Sequence, residues 1–249
     1  MQISVIMPFW NAGQYVDAAL RSVFRQSVPV KEVIIVDQGG STPESAFPDH
    51  LRDLNGLRFI ASPQTTPGKA RNLALAAATG DAIAFLDADD LWPLGKLERQ
   101  VNALQEHDLV GGFTRWFTET TSEDVLEPSP TASVCLLMPL LGACLYRREF
   151  LEKLGHFDAE FVFSEDVDLL LRACESQGRI LALRTVELYY RKHSQSMTHG
   201  YDLARDPHYA RAVQQSLERR GATGNRRGVH GLASYMEPTS QPNPLVGTA

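Results

Sequence analysis

Cysteine is scarce in this 249-residue chain, and its placement excludes two whole classes. Cys135, Cys144 and Cys174 form no Cys-x-x-Cys pair, which argues against a disulfide framework and against a zinc site of the usual spacing. Cys135 and Cys144 lie in apolar stretches and read as buried small hydrophobes. Positive charge is also short. The formal net charge is −6, whereas a nucleic-acid binder normally carries a basic stripe, so no nucleic-acid partner is expected. No apolar run is long enough to span a bilayer: the longest, Val134 to Tyr146, is broken by Pro139 and Gly142. No basic segment precedes the apolar start Ile3 to Met7, so the beginning does not read as a signal peptide. What remains is an ordinary globular composition, 43% hydrophobic and 22% charged, and a soluble cytoplasmic protein is the expectation.

Short apolar runs alternate with helical periodicity through the first half. Strands are expected over Ile3 to Met7, Glu32 to Val36, Leu57 to Ala61 and Ala82 to Leu86. Between and after them lie helical patterns over Ala12 to Gln26, Gly68 to Thr79 and Pro93 to Glu106, the last with Pro93 in its first turn. That alternation specifies βαβ units and a parallel sheet, whose ligands bind beyond the carboxyl ends of the strands. The polar residues at those ends are Asn11 after Pro8-Phe9-Trp10, then Asp37, then Asp87, and all three should share one edge.

The second half is less regular. Leu109 to Phe117 reads as a strand, Thr118 to Ser133 as a loop, and Leu140 to Tyr146 as a return to the sheet. Helices are expected over Arg147 to Leu154, closed by Gly155, and over Glu165 to Gln177, with Val167, Leu169, Leu170 and Leu171 packing inward. Ile180 to Tyr190 reads as a final strand or pair, and Asp206 to Arg220 as a closing helix. From Gly221 the composition is that of a disordered tail.

Asp87, Asp89 and Asp90 follow a buried strand within four residues. Carboxylates this close repel one another unless a cation compensates, and hard divalent cations such as Mg2+ or Mn2+ take oxygen ligands and complete their shell with phosphate. The same residues also suit a solvated turn ahead of a helix.

The stretch from Leu86-Asp87-Ala88-Asp89-Asp90 to Trp92-Pro93, with Lys96-Leu97 beyond, resembles the core signature of the family 2 glycosyltransferases. Other segments are similar to that family in the expected order: Val5 to Asn11, Val33 to Asp37, Gly68-Lys69-Ala70-Arg71-Asn72, Gly155 to Asp158, Ser164 to Leu169, and Tyr190 to Thr198. The resemblance covers roughly residues 2 to 200 and implies a GT-A, Rossmann-like α/β domain with a mostly parallel central sheet. Residues 1–106 would form its nucleotide-binding half, residues 107–200 its acceptor side and residues 201–220 a helical extension.

The resemblance also implies roles. Pro8, Phe9, Asn11, Asp37, Arg71, Asp87, Ala88, Asp89 and Arg191 would bind the nucleotide sugar, a UDP-linked donor. Asp89 would hold the metal, with Asp87 and His193 as further candidate ligands and Asp90 in support. Asp166 would be the general base with Glu165 beside it, in an inverting transfer to an acceptor. That acceptor is left open among glycan, lipid-linked, peptide and small-molecule compounds, which leaves room for an enzyme peripheral to a membrane. One departure stands out: the family often has a second Asp after Asp37, where this chain has Gln38. A sugar-nucleotide pyrophosphorylase would need a glycine-rich loop with an Arg where Phe9-Trp10-Asn11-Ala12-Gly13 stands. The other alternative is a non-catalytic nucleotide-sugar-binding homologue or partner subunit.

Overall fold

The first strand explains the layering. In the computed structural model Ile3–Phe9 (β1) is buried at every position, and alternate residues serve opposite faces. Ile3, Val5, Met7 and Phe9 pack with Val16–Phe24 (α1) and Lys96–Leu104 (α3). Ile6 packs on the other face with Pro67–Ala77 (α2), Arg148–Leu154 (α4) and Glu165–Glu175 (α5). A sheet covered by helices on both faces demands strands that are apolar throughout, which Glu32–Asp37 (β2) and Ala82–Phe85 (β4) largely are. The structure describes residues 1–39, 47–63, 65–118, 128, 140–197, 199 and 205–223, and the backbone of 135–136.

With Leu57–Ala61 (β3), Leu109–Phe117 (β5), Cys135–Leu136 (β6), Leu145–Arg147 (β7) and Ile180–Arg191 (β8), the sheet has eight strands among the described residues, in the order β3-β2-β1-β4-β7-β5-β6, and β8 pairs with β5. Pairs β1–β2, β1–β4, β2–β3 and β5–β8 are parallel. The sheet is therefore mostly parallel, as expected, but β7 runs antiparallel between β4 and β5. After β3 the chain crosses back over β2 and β1 to enter as β4, so strand order reverses between β1 and β4. Such a reversal opens a crevice at the carboxyl ends of the two strands. The register brings Phe9 opposite Asp37 and Ile6 opposite Phe85, so the Pro8 loop, Asp37 and Asp87 do share one edge.

Three local expectations change. Pro93 does not open α3; the helix starts at Lys96 behind Gly95 in a left-handed conformation, because Leu91 is drawn into a bridge with Tyr189 of β8 and a turn from Pro93 to Lys96 (3.3 Å) intervenes. In α5 only Leu169 of the four expected core residues is fully buried. Positions 167 to 171 span more than a full turn and cannot all face one way. The last helix, Pro207–Thr223 (α6), runs past Gly221, so the tail does not begin there. Residues 224–249, and all of the expected 118–133 loop beyond Thr118 except Pro128, lie outside the described residues. Among the described residues no helix is long and apolar enough to cross a membrane.

Behind the site edge, Ser4 ties the α2–β4 connection to the sheet. Its hydroxyl donates to Glu32 (2.7 Å) and accepts the Gly80 amide (2.8 Å). A Cβ on Gly80 would sit 2.6 Å from the Ser4 amide nitrogen and 2.8 Å from the Gln2 carbonyl oxygen, both backbone atoms. Gly80→Ala should therefore destabilise the chain by about 1–3 kcal/mol, the usual cost of overpacking. Urea unfolding checks this; an unchanged midpoint would mean that the contact between Gly80 and the start of β1 yields without loss.

Candidate active site

The aspartate loop is held from both sides. At its start the Leu86 amide donates to the Ile6 carbonyl (3.0 Å), and the Asp90 amide closes a turn onto the Asp87 carbonyl (3.0 Å). At its end Leu91 and Tyr189 exchange backbone hydrogen bonds of 3.0 and 2.9 Å. The buried Asp90 carboxylate accepts the Arg191 amide (2.8 Å), and Arg191 Nε donates to the Asp89 carbonyl (2.8 Å). The Arg191 guanidinium is itself sandwiched, 4.8 Å from the Tyr15 ring centre and 4.5 Å from that of Phe117. Burial, reinforced by the charges of Asp89 and Asp87, holds the Asp90 carboxyl well above its ordinary range. Asp90 is thus a structural acceptor of the loop, matching its expected supporting role. Lys96 is another structural member: fully buried, with its ammonium 4.6 Å from the Trp92 ring centre and burial lowering it to about 8.

Fixing the loop this way leaves Asp87 and Asp89 facing a cleft of about 590 Å3, within the size range of small-ligand sites. Asp89 Oδ2 lies 2.9 Å from His193 Nε2. The His193 ring leans on Tyr15, and its buried Nδ1 has no hydrogen-bond partner among the described residues. Asp87 Oδ1 accepts from Arg71 (2.7 Å). The Arg71 fork then reaches Glu165 with its other nitrogen, in a direct ion pair. Thr66 caps α2 and Pro67 opens it, which sets Arg71 within the first turns of the helix, facing the loop. Asn72 beside it exchanges two hydrogen bonds with the Phe157 backbone (2.8 and 2.9 Å), a structural role.

Glu165 and Asp166 begin α5. Burial pushes the Glu165 carboxyl up to about 7 against the pull of Arg71. Burial also raises Asp166, which accepts its neighbour Val167's amide at 2.8 Å. Burial disfavours the Arg71 charge, but Asp87, Glu165 and Asp166 outweigh it, so the guanidinium stays charged.

The cleft therefore gathers Pro8, Asn11, Arg71, Asp87, Ala88, Asp89, Glu165 and Asp166, with His193 present as well. Phe9, Asp37 and Arg191 are off its lining. The Phe9 ring is buried against Phe47 (5.2 Å), and Asp37 Oδ1 accepts the Gly39 amide in a turn (2.9 Å). Gln38, by contrast, lines the cleft while its amide donates to the Thr65 carbonyl (2.9 Å). Two residues with positive φ sit here, Asn11 (50°) and Ser164 (62°). Such backbone is uncommon outside glycine and clusters at functional sites. Ser164 carried no signal in the sequence beyond its place before Glu165. Trp92 is core; Trp10 and Trp116 both line the cleft.

Could a divalent cation fit? Among the described residues no three His, Cys, Asp or Glu side chains form a cage. Mg2+ does not require one: it is commonly held by one or two carboxylates, with substrate phosphates completing the shell. Two ligands about 2.1 Å from such an ion in adjacent octahedral positions are about 3 Å apart. The 2.9 Å between Asp89 Oδ2 and His193 Nε2 matches that spacing, and Asp87 Oδ2 is not taken by Arg71.

Known proteins can now be set beside this geometry. The model of glycosyl transferase family 2 matches residues 4–133. An uncharacterized glycosyltransferase of Nostoc sp. is 30% identical over 210 residues, covering 78% of this chain and 65% of its own. An Escherichia coli protein named UDP-Glc:alpha-D-GlcNAc-diphosphoundecaprenol beta-1,3-glucosyltransferase is 31% identical over 107 residues, covering 43% of this chain and 42% of its own. The chain thus spans less than two thirds of the length of either relative. Residues 1–349 of S. aureus TarS, crystallised with UDP-GlcNAc, superpose with a TM-score of 0.62 at 21% identity, covering 89% of this chain and 73% of that one. At that identity the likeness concerns the fold.

Proposed function

The chain belongs to glycosyl transferase family 2, and we propose that it transfers a sugar from a UDP-linked nucleotide sugar to an acceptor nucleophile with inversion at the anomeric carbon. One observation carries the reading: Arg71 joins Asp87 to Glu165, which brings the aspartate loop and the Glu165-Asp166 pair together in one cleft. The names of the E. coli relative and of the TarS complex, both with a UDP-linked sugar, support the choice of donor.

Asp89, with Asp87 and His193 beside it, would hold a Mg2+ or Mn2+ ion, which when bound neutralises charge on a departing diphosphate. The remaining steps belong to the chain's own groups. Arg71 is committed to two carboxylates and orients them. Glu165 is tied to Arg71, so Asp166 is the carboxylate left to take a proton. As the acceptor oxygen bonds to the anomeric carbon, its proton passes to Asp166. The bond from that carbon to the diphosphate oxygen breaks, and the electron pair leaves with the nucleotide. No further carboxylate is placed to act as a covalent nucleophile among the described residues, which supports a single inverting displacement.

Asp89→Ala tests the loop. UDP binding measured by calorimetry should rise on adding Mg2+ or Mn2+ in the parent chain and lose that dependence in the variant. Metal-enhanced binding that survives in Asp89→Ala removes Asp89 as ligand. A parent chain that binds the donor but neither hydrolyses nor transfers it is a nucleotide-sugar binder.

A further inference from the structure

The strained residue ahead of the base pair is held from outside its own helix. Ser164 occupies the left-handed region (φ 62°, ψ 18°) immediately before Glu165 and is buried. Its hydroxyl donates to Asp206 Oδ2 at 2.8 Å, across 42 residues of sequence. Asp206 is buried as well, and its two carboxylate oxygens also accept the amides of His208 and Tyr209 (both 2.9 Å), capping α6. Further along, Arg219 of α6 reaches Glu175 (2.7 Å) and the buried Asp168 (3.3 Å) of α5. Arg211 binds Asp158 (3.2 Å) and Glu160 (2.7 Å) in the segment leading to Ser164. The two helices are therefore braced at both ends, and the brace nearest the cleft falls on the residue that aims Glu165 and Asp166.

We infer that Asp206 is a positioning residue for the transfer reaction: by fixing Ser164 in a backbone conformation it would not otherwise favour, it sets where the Asp166 carboxylate stands in the cleft. The inference rests on the reading of Asp166 as the base. It separates the work of α6 from that of an ordinary packing helix, because a helix that merely stabilised the fold would not select the residue preceding the Glu165-Asp166 pair. A glycine, which adopts left-handed backbone freely, would need the hydroxyl brace less than alanine.

The test is a kinetic cycle on the full chain with a UDP-sugar and its accepted acceptor, over Ser164→Ala, Asp206→Ala and the pair together. Each single variant should lose roughly ten- to a hundredfold in kcat, the scale of a small misplacement of a catalytic group, with the donor KM nearly unchanged. The double variant should lose no more than the worse single one, since Asp206→Ala already removes the bond that Ser164→Ala removes. Ser164→Gly should keep more turnover than Ser164→Ala. Amide exchange of residues 163–167, which needs no turnover, should speed up in Asp206→Ala. Additive losses, or a wild-type kcat in folded Asp206→Ala, overturn the inference while leaving the base intact. Unchanged kcat in Asp166→Asn overturns the base, and the positioning role with it.

Discussion

Asp166→Asn should lower kcat by at least about a hundredfold, the usual contribution of a positioned general base, while UDP affinity stays within about twofold. The substitution is nearly isosteric. An asparagine Oδ1 can still accept the Val167 amide that the carboxylate accepts at 2.8 Å, so the start of α5 keeps its shape. What disappears is the ability to take a proton. The residues proposed to meet the donor, in the Pro8 loop and the aspartate loop, are not altered. Turnover and calorimetric nucleotide affinity, measured together, decide it. A variant that turns over like the parent has its base elsewhere. A variant that loses nucleotide affinity in step with turnover has lost the site's architecture, and Asp166 would then be structural.

Arg71→Met should be the most destabilising change in the site. The guanidinium is 5% exposed and is the sole bridge described between Asp87 and Glu165. Removing one partner of a buried ion pair leaves the other uncompensated, at about 3–5 kcal/mol, or on the order of 10 °C in Tm for a chain of this size. The loss should depend on pH. Without Arg71, the largest influence opposing the burial that already raises Glu165 above its ordinary 4.5 is gone, so the folded variant retains a proton that the unfolded chain gives up. The folded state then binds more protons than the unfolded one, and stability falls as pH rises above 4.5. The Tm deficit of Arg71→Met should accordingly be smaller near pH 5 than near pH 8. A deficit independent of pH would show that Glu165 does not carry the penalty. Arg71→Lys should recover only part of the stability, since one ammonium cannot fork between two carboxylates.

Strand ends were the most readable part of the sequence. β1, β2 and β4 are near-continuous apolar runs that stop at polar residues, and parallel topology alone sends those stops to one edge. Arg71 and Glu165-Asp166 could be recognised as candidates, yet nothing local in either segment reveals that one guanidinium joins them across 94 residues. The same limit explains Pro93. Its sequence context is a good helix start, but the competing partner, Tyr189, is nearly a hundred residues away. The direction of β7 was hidden too, because a three-residue strand carries no mark of parallel or antiparallel pairing. Ser164 is the hardest case. Its strained backbone depends on Asp206, a residue whose neighbourhood reads simply as a helix cap.

The clamp on the aspartate loop has a consequence for how the protein is made. One end of the loop hangs on β1, and the other on the final strand of the sheet, with Asp90 meeting Arg191 across 101 residues. A chain emerging from the ribosome holds all three aspartates well before β8 exists to fix them. Contacts of such sequence separation form late, after the closure entropy of the intervening chain has been met. The cleft is therefore expected to be among the last parts of the fold to take shape, once β8 docks along β5. Until β8 docks, the far end of the loop lacks Tyr189 and Arg191, the partners that fix it.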